Sequence, residues 1–387
     1  MAQPNNYGFE EEAGMLKDGA KRFFADKLPV DQLHALVAHE STAERGPAVN
    51  WKPELWQEMV GLGWTALAVP EDFGGVGMPW VAVVGLLEEV GRAAFPSPLL
   101  PTLQVTAVLT QLGGGAQAAL EETAGGSAAT LALMDADGET SLTAVSYADG
   151  KLNGTVHFVQ DAGKCDRLLV VASQNGSPVM CWVDKAAEGV TVEADAIVDL
   201  TRDQARVSFK NVVASPIAGN AQSAWAAAEP MLWVLISADM VGASEWLLQT
   251  TVEYAQQRKQ FDRPLGFFQA VKHDLVNVMV AIDESKSLLY SAACALDHEP
   301  ERARQLAHMA KSSASDTAAF ASSRAVQCHG GIGFTWECYV HLYFKRQKHS
   351  QFLWGDASAH RAALAELLVD RAGSDAVKGV ALNEAAA

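Results

Sequence analysis

Two segments in the C-terminal half of the chain, residues 258–269 and 327–337, carry residue types that are suited to binding a nucleotide. A guanidinium can bind a pyrophosphate through two parallel hydrogen bonds. An aromatic ring and an amide can contact a base or a ribose, and paired glycines let backbone amides approach phosphate oxygens closely. Residues of these types are Arg258, Phe261, Gln269, Gly330 and Gly331. A plainer alternative is that Arg258 pairs with a surface carboxylate and that the glycines only end a helix.

The elements that must position these residues begin with an N-terminal helical domain, predicted over residues 1–122. Apolar residues recur at spacings of three and four across Glu10–Leu28, which is typical of an amphipathic helix. A further helix is predicted over Val81–Ala94. The loop before it, Val69–Gly77, is rich in helix breakers, and we interpret it as a turn rather than as a phosphate-binding loop.

Residues 123–220 are predicted to form a central β domain. Short runs rich in β-branched and aromatic residues, such as Val179–Val183 and Gly189–Val192, are separated by turn residues such as Gln174-Asn-Gly-Ser. Several short strands spaced in this way indicate a small β-barrel or sandwich. Strands and helices do not alternate here, which disfavours a Rossmann fold.

Residues 221–375 are predicted to form a four-helix bundle, and residues 376–387 a flexible tail. The bundle region is rich in alanine and has few helix breakers, as expected of long packed helices. The predicted helices are Ser223–Gln257, Phe268–Leu296, Pro300–Cys328 and Tyr339–Leu368. The overall fold class is therefore α+β, with a helical domain, a β domain and a bundle in that order.

The composition of the chain argues against several classes of binding partner. The 387 residues carry a net charge of −17, and the calculated pI of about 5.0 argues against nucleic acid or an anionic membrane as a partner. The five cysteines are scattered without metal-ligand spacing, so we expect reduced thiols, a cytoplasmic location and no metal. Met1–Phe9 lacks the features of a secretory signal, and the longest apolar stretch, Met231–Ala243, is too short to span a bilayer.

Over nearly its whole length the chain resembles the acyl-CoA dehydrogenase superfamily. The resemblance is carried by Gly61–Gly77, Leu87–Arg92 and Asn153–Phe158, and by the two C-terminal segments described first. It implies the three-part fold, FAD as the cofactor, an acyl-CoA substrate and an electron-transfer acceptor. In this family, the matching C-terminal elements reach across a subunit interface to the ADP half of a flavin. The resemblance therefore assigns cofactor binding to Arg258, Phe261, Gln269, Gln327, Gly330 and Gly331.

The β domain departs from the family pattern. The family has a Thr-Glu-Pro motif followed by a Gly-Ser-Asp turn, and these groups hydrogen-bond the flavin. The corresponding stretch of this chain, Ala132–Glu139, is shorter and lacks both motifs. The Trp and Thr that the family places beside the flavin ring are Phe158 and Gln160 here. We therefore expect the β domain of this chain to be a poor pocket for the flavin ring.

The catalytic carboxylate of the family is also missing. Dehydrogenation needs a carboxylate within hydrogen-bond reach of the substrate α-carbon. One family position for it is Trp354 here, followed by Gly355, and the second falls near Leu232–Trp233. We therefore assign no catalytic residue to this chain. Glu229 and Asp356 remain open as relocated bases, although a carboxylate at a helix start is more often a cap.

These departures resemble one subunit type of heteromeric bacterial acyl-CoA dehydrogenases, such as the steroid side-chain enzymes, in which two unlike subunits form an α2β2 assembly. The hypothesis is a subunit that grips the ADP part of FAD while a homologous partner supplies the base and the ring pocket. Two alternatives remain. One is a flavin-dependent monooxygenase of the same fold that acts as a homotetramer, and the other is a non-catalytic assembly subunit.

Overall fold

The computed structural model describes residues 3–38, 51–141 and 144–369 of the chain. Within these residues, helices come first, a mixed sheet follows, and long helices return. This order confirms the predicted fold class.

The N-terminal part is built around two buried helices. Every residue of α4 except Arg92 is buried, and α5 is buried along most of its length. Helices that are apolar on all sides belong in a protein interior, and the amphipathic α1 packs against α4. The helices are α1 (Glu11–Lys27), α2 (Val30–Val37), α3 (Pro53–Gly61), α4 (Trp80–Arg92), α5 (Leu99–Leu112) and α6 (Gln117–Ala124).

The central part is one seven-stranded mixed sheet. Its strand order is β1-β4-β2-β3-β7-β6, and β5 also pairs with β4. β1 and β4 are parallel, whereas β2–β3, β3–β7, β4–β5 and β6–β7 are antiparallel. The strands are β1 (Ala129–Ala132), β2 (Val145–Ala148), β3 (Lys151–Gln160), β4 (Arg167–Gln174), β5 (Ser177–Asp184), β6 (Val190–Ala194) and β7 (Gln204–Val213).

Three of the four predicted bundle helices are confirmed, and the fourth is wrong as a single helix. The chain forms a tenth helix and then breaks before a last helical stretch over residues 357–369. Trp354 has φ 62° and Gly355 has φ 95°, so both adopt left-handed conformations that an α-helix cannot contain. The bundle helices are α7 (Ala221–Gln257), α8 (Gln269–His298), α9 (Pro300–His329) and α10 (Val340–Ser350).

The N-terminal helices join the bundle where α4 crosses α7 in backbone contact. A Cβ atom added to Gly91 would lie 2.1 Å from the carbonyl oxygen of Asp239, and one added to Gly242 would lie 1.8 Å from that of Glu88. No side chain fits at such distances, so glycine on both helices permits the close crossing.

A buried ion network joins the sheet to the bundle beside this crossing. The carboxylate of Asp239 on α7 pairs with Arg202, which precedes β7, at 2.6 Å, and with Arg346 on α10 at 2.5 Å. Arg346 also donates to the hydroxyl of Thr201 at 2.8 Å. All four residues are buried. The network therefore fixes the orientation of the sheet against α7 and α10.

Helix α7 is long and apolar enough to cross a membrane by length and composition alone. However, 83% of its most apolar 18-residue window is buried inside the protein. It packs against α4, α5, α8 and α9. This burial is typical of the core helix of a bundle.

Candidate functional site

A cavity of about 550 Å³ lies between the sheet and the bundle. Its size is within the usual range of small-molecule sites. Most of the large side chains that line it are apolar or aromatic, and the polar ones come from both layers. Its main lining residues are Met134, Phe158 and Gln204 from the sheet side, and Glu229, Trp233, His349, Phe352 and Trp354 from the bundle side.

Trp354 lies in the turn between α10 and the last helical stretch, and two side chains hold that turn. Nζ of the buried Lys311 donates to the carbonyl oxygens of Gln351 at 3.1 Å and Gly355 at 2.7 Å. His360 Nε2 donates to the carbonyl oxygen of Trp354 at 2.9 Å. Burial lowers the pKa of Lys311 to about 7. The indole is therefore locked at the wall of the cavity.

A histidine pair supports the same wall. His308 Nδ1 lies 2.8 Å from His360 Nδ1. Since His360 uses its Nε2 proton on Trp354, its Nδ1 is the acceptor and His308 the donor. Burial lowers the pKa of each imidazole to about 4, which keeps both neutral. The His308 ring packs on the Trp233 indole with centroids 4.3 Å apart.

The positions where the family keeps its base therefore hold no carboxylate. Trp354 and Trp233 line the cavity, and Leu232 is fully buried in the core. The Asp356 carboxylate accepts from the backbone amide of Ala359 at 2.8 Å, which makes Asp356 a cap of the last helical stretch, as its position suggested.

Glu229 is the one residue of the two open candidates that lines the cavity. Its carboxylate pairs with the guanidinium of Arg304 at 3.0 Å. Arg304 in turn lies over the Trp233 ring, 5.2 Å from its centroid. The carboxylate is thus held against a cation at the cavity edge.

The stretch that replaces the family's ring-binding motif hydrogen-bonds to itself. It forms a hairpin, residues 134–141, in which the amides of Asp137 and Glu139 both donate to Oδ1 of Asp135 at 3.0 Å. The amides of Asp135 and Gly138 donate to carbonyl oxygens within the same hairpin. These four backbone donors are already satisfied, so the hairpin does not fit the polar edge of a flavin ring.

The side chain of Gln160, one of the two residues that replace the family's Trp and Thr, is also fully engaged within the chain. Nε2 of Gln160 donates to the carbonyl oxygen of Phe158 at 2.9 Å and to Oε1 of Gln204 at 3.1 Å. Oε1 of Gln160 accepts from Nε2 of His349 at 2.9 Å. Phe158 has φ 55°, and its ring lies against Gly138 of the hairpin. The expectation of a poor ring pocket is consistent with this arrangement.

The two nucleotide-type segments lie at one end of the bundle. The Tyr254 ring, one turn before the end of α7, stacks on the His329 ring at the end of α9 with centroids 4.2 Å apart. Arg258 follows α7 and opens a small hairpin of β8 (Lys259–Gln260) and β9 (Arg263–Pro264). Gly330, with φ 67°, ends α9. The structure thus places both predicted segments side by side.

The predicted nucleotide residues are presented to the outside of the chain. All six are exposed, and Phe261 at the hairpin tip is 87% exposed. Within the described residues, Arg258 forms no ion pair, so the alternative of a surface carboxylate partner is not realised there. Cβ positions on Gly330 and Gly331 meet no atom within 4 Å. These features fit half of a binding site that another molecule completes, as the ADP part of FAD would require.

Sequence reasoning missed Lys311, His308 and His360 as the residues that hold Trp354. Lysine in the middle of an alanine-rich helix looks like a solvated charge, and its partners lie 40 and 44 residues away. Among the described residues, no group of three or more His, Cys, Asp or Glu side chains could hold a metal ion.

Two family models match the chain. Residues 10–127 match the acyl-CoA dehydrogenase N-terminal domain, and residues 234–369 match the acyl-CoA dehydrogenase C-terminal domain. The acyl-CoA dehydrogenase IpdE2 of Mycobacterium tuberculosis is 33% identical over 340 residues, which cover 87% of this chain and 91% of the relative.

Two solved structures of similar proteins cover almost the whole chain. A variant of the Tcur3481–Tcur3483 steroid ACAD superposes with a TM-score of 0.83 at 28% identity, covering 94% of this chain and 99% of that one. The ChsE4–ChsE5 complex from Mycobacterium tuberculosis superposes with a TM-score of 0.80 at 25% identity, covering 94% of this chain and 98% of that one.

Proposed function

The chain belongs to the acyl-CoA dehydrogenase family, and from this premise we propose that it is a subunit that works only with a homologous, unlike partner. FAD is the cofactor of this family, and oxidation of a CH–CH bond is its reaction. In the proposed assembly, this chain grips the ADP part of FAD. The partner supplies the carboxylate base and the pocket for the flavin ring.

The observation that carries the proposal is the indole at the base position. Trp354 cannot accept a proton from a substrate carbon. Lys311 and His360 fix its turn, so the indole is held at the position of the base. A second, independent loss lies on the sheet side of the same cavity. The hairpin 134–141 has lost the motif that binds the flavin ring, and its backbone amides are hydrogen-bonded within the hairpin.

This chain's own contribution is binding and positioning at the exposed end of the bundle. Arg258 would hold the pyrophosphate with its unpaired guanidinium. Phe261 and Gln269 would contact the adenosine, and the backbone at Gly330 and Gly331 would approach the phosphates, beside Gln327. FAD bound there supplies the hydride acceptor of the reaction.

The substrate we propose is an acyl-CoA whose acyl group is a steroid side chain. Support comes from the relatives, since one similar structure is that of a steroid ACAD. The ChsE4–ChsE5 neighbour is a complex of two different chains, which supports an α2β2 arrangement with an unlike homologue. An electron-transfer protein would accept the electrons in the final step.

The test is to purify the tagged full-length chain from its native host and alone from a heterologous host. The native preparation should contain a second, homologous dehydrogenase subunit, one FAD for each unlike pair, and acyl-CoA oxidation with an artificial electron acceptor. The chain alone should contain little FAD and show no turnover. Acyl-CoA oxidation by the chain alone would refute the proposal.

Two other outcomes would replace the proposal with an alternative. Oxygen consumption by a homotetramer supplied with reduced flavin would indicate a monooxygenase. A native complex whose FAD content and turnover do not depend on this chain would indicate an assembly subunit.

A further inference from the structure

The cavity beside Trp354 has walls that suit a rigid ring system. Trp233 and Trp354 line it from the bundle side, and Phe158 lines it from the sheet side. Indole and phenyl rings offer broad flat surfaces for apolar contact. A rigid ligand also loses little conformational entropy on binding, so flat walls favour fused rings over a flexible chain.

The charges around the cavity disfavour an anion. Glu139 and Glu229 line it, and Asp135 and Asp137 lie in the hairpin that carries Glu139. Glu229 is neutralised by Arg304, but the three hairpin carboxylates form no ion pair within the part of the chain that the structure describes. Phosphates of a flavin nucleotide or of coenzyme A would be repelled at this rim.

One polar group at the cavity is a hydrogen-bond acceptor. His349 lines the cavity and donates from Nε2 to Oε1 of Gln160. Burial lowers the pKa of His349, which favours the neutral form of the ring. In the neutral ring, Nδ1 is then an acceptor, and it has no partner among the described residues. Nδ1 can accept from a hydroxyl but not from a ketone.

We propose that this cavity binds a neutral fused-ring alcohol. The ring body would lie against Trp233, Trp354 and Phe158, and the hydroxyl would donate to Nδ1 of His349. No oxidation accompanies this binding, because an indole stands at the family's base position and the hairpin does not fit the flavin ring. The site is independent of the proposed function, since its walls all come from this chain.

The test uses the full-length chain and the neutral four-ring alcohol dehydroepiandrosterone. Tryptophan fluorescence should report binding directly, because two indoles form the wall, and calorimetry would give the affinity. Ala359 lines the cavity but is solvent-exposed, so Ala359→Phe should fill the cavity without disturbing the core. Ser358 is exposed and does not line the cavity, so Ser358→Phe is the matched control.

We expect saturable quenching, at least tenfold weaker affinity in Ala359→Phe, and unchanged affinity in Ser358→Phe. With the unmodified chain, androstenedione, which has a ketone in place of the hydroxyl, should bind about fivefold more weakly. Absence of saturation up to the solubility limit would overturn the proposal. Equally tight binding of FMN or octanoyl-CoA would overturn it too, and equal affinity for alcohol and ketone would remove the role of His349.

Discussion

Nζ of Lys311 donates to the carbonyl oxygen of Gly355 at 2.7 Å, across 44 residues of sequence. The contact joins the middle of α9 to the turn that carries Trp354. A buried ammonium is costly unless it is hydrogen-bonded, and here it satisfies two backbone carbonyls and the hydroxyl of Ser315. The indole at the former base position is therefore part of a specific, supported arrangement.

Lys311 should make stability depend on pH. Burial lowers its pKa from 10.5 to about 7. Between these two values the unfolded chain binds more protons than the folded chain, so the free energy of unfolding should rise with pH. Relative to Lys311→Met, the gain from pH 7 to pH 9 should be on the order of 2 kcal/mol, since one proton corresponds to about 1.4 kcal/mol per pH unit. Urea unfolding of both proteins at several pH values measures this gain. If the free energy of unfolding changed with pH in the same way for wild type and Lys311→Met, the prediction would be contradicted.

Asp239→Asn should destabilise the protein strongly. The substitution leaves Arg346 buried without a carboxylate partner and leaves Arg202 with Asp199 alone, at 3.7 Å, and breaking a buried pair costs about 3–5 kcal/mol. The matched control is Glu193→Gln, which removes an exposed pair with Arg206 and should change stability little, because solvent screens exposed charges. Thermal unfolding at neutral pH compares the two, and equal shifts in Tm would contradict the prediction.

The destabilisation caused by Asp239→Asn should disappear at low pH. Burial alone would raise the pKa of this carboxyl, but Arg202 and Arg346 hold it below its usual value of 3.8. A carboxyl with a lowered pKa stabilises the fold above its unfolded pKa, and this contribution is lost as the pH falls through the folded pKa. The difference between wild type and Asp239→Asn should therefore shrink below pH 3.8. A difference that stays constant down to pH 2 would argue against the ion network.

Gly242→Ala should separate two helices that now touch. An added Cβ would lie 1.8 Å from the carbonyl oxygen of Glu88, so α4 and α7 would have to move apart, at a cost of more than about 2 kcal/mol. Gly19→Ala in α1 is the control, because its Cβ meets nothing within 4 Å. There the substitution should stabilise by about 0.5–1 kcal/mol. Chemical unfolding should therefore show a lower free energy of unfolding for Gly242→Ala and a higher one for Gly19→Ala.

Arg258→Ala should lower the FAD content of the native complex without affecting the fold. A lost hydrogen bond to a charged group corresponds to about 1.5–3 kcal/mol, or at least a tenfold weaker affinity. Lys259→Ala, the exposed neighbour, should leave the FAD content unchanged. FAD absorbance per mole of complex and the Tm of the chain are the two measurements. Full FAD content in the Arg258 variant would refute the assigned role.

The fold could be predicted because its signals are local. Helical periodicity in Glu11–Lys27 and short strand runs such as Ser177–Asp184 each depend on neighbouring residues, and these elements are confirmed. The break that divides the predicted fourth helix also had a local sequence signal. Gly355 followed by Asp356 is a helix stop followed by an N-cap residue, but the surrounding residues favour a helix.

The candidate site could be predicted only in part. Loss of the base follows from reading Trp354 at one position, and the structure places that indole at the cavity. The support of the indole by Lys311 and His308 depends on contacts between distant segments, which no local pattern encodes. That Arg258 and Gly330 bind FAD stays a prediction, which rests on their exposure and on the proximity of their segments.

The hairpin over residues 134–141 has a consequence for the protein when FAD is absent. Apoenzymes that keep unsatisfied amides open for a coenzyme tend to lose order when that coenzyme is scarce. Here the amides of Asp137 and Glu139 are occupied from within. The hairpin should therefore keep its conformation whether or not FAD is bound to the assembly.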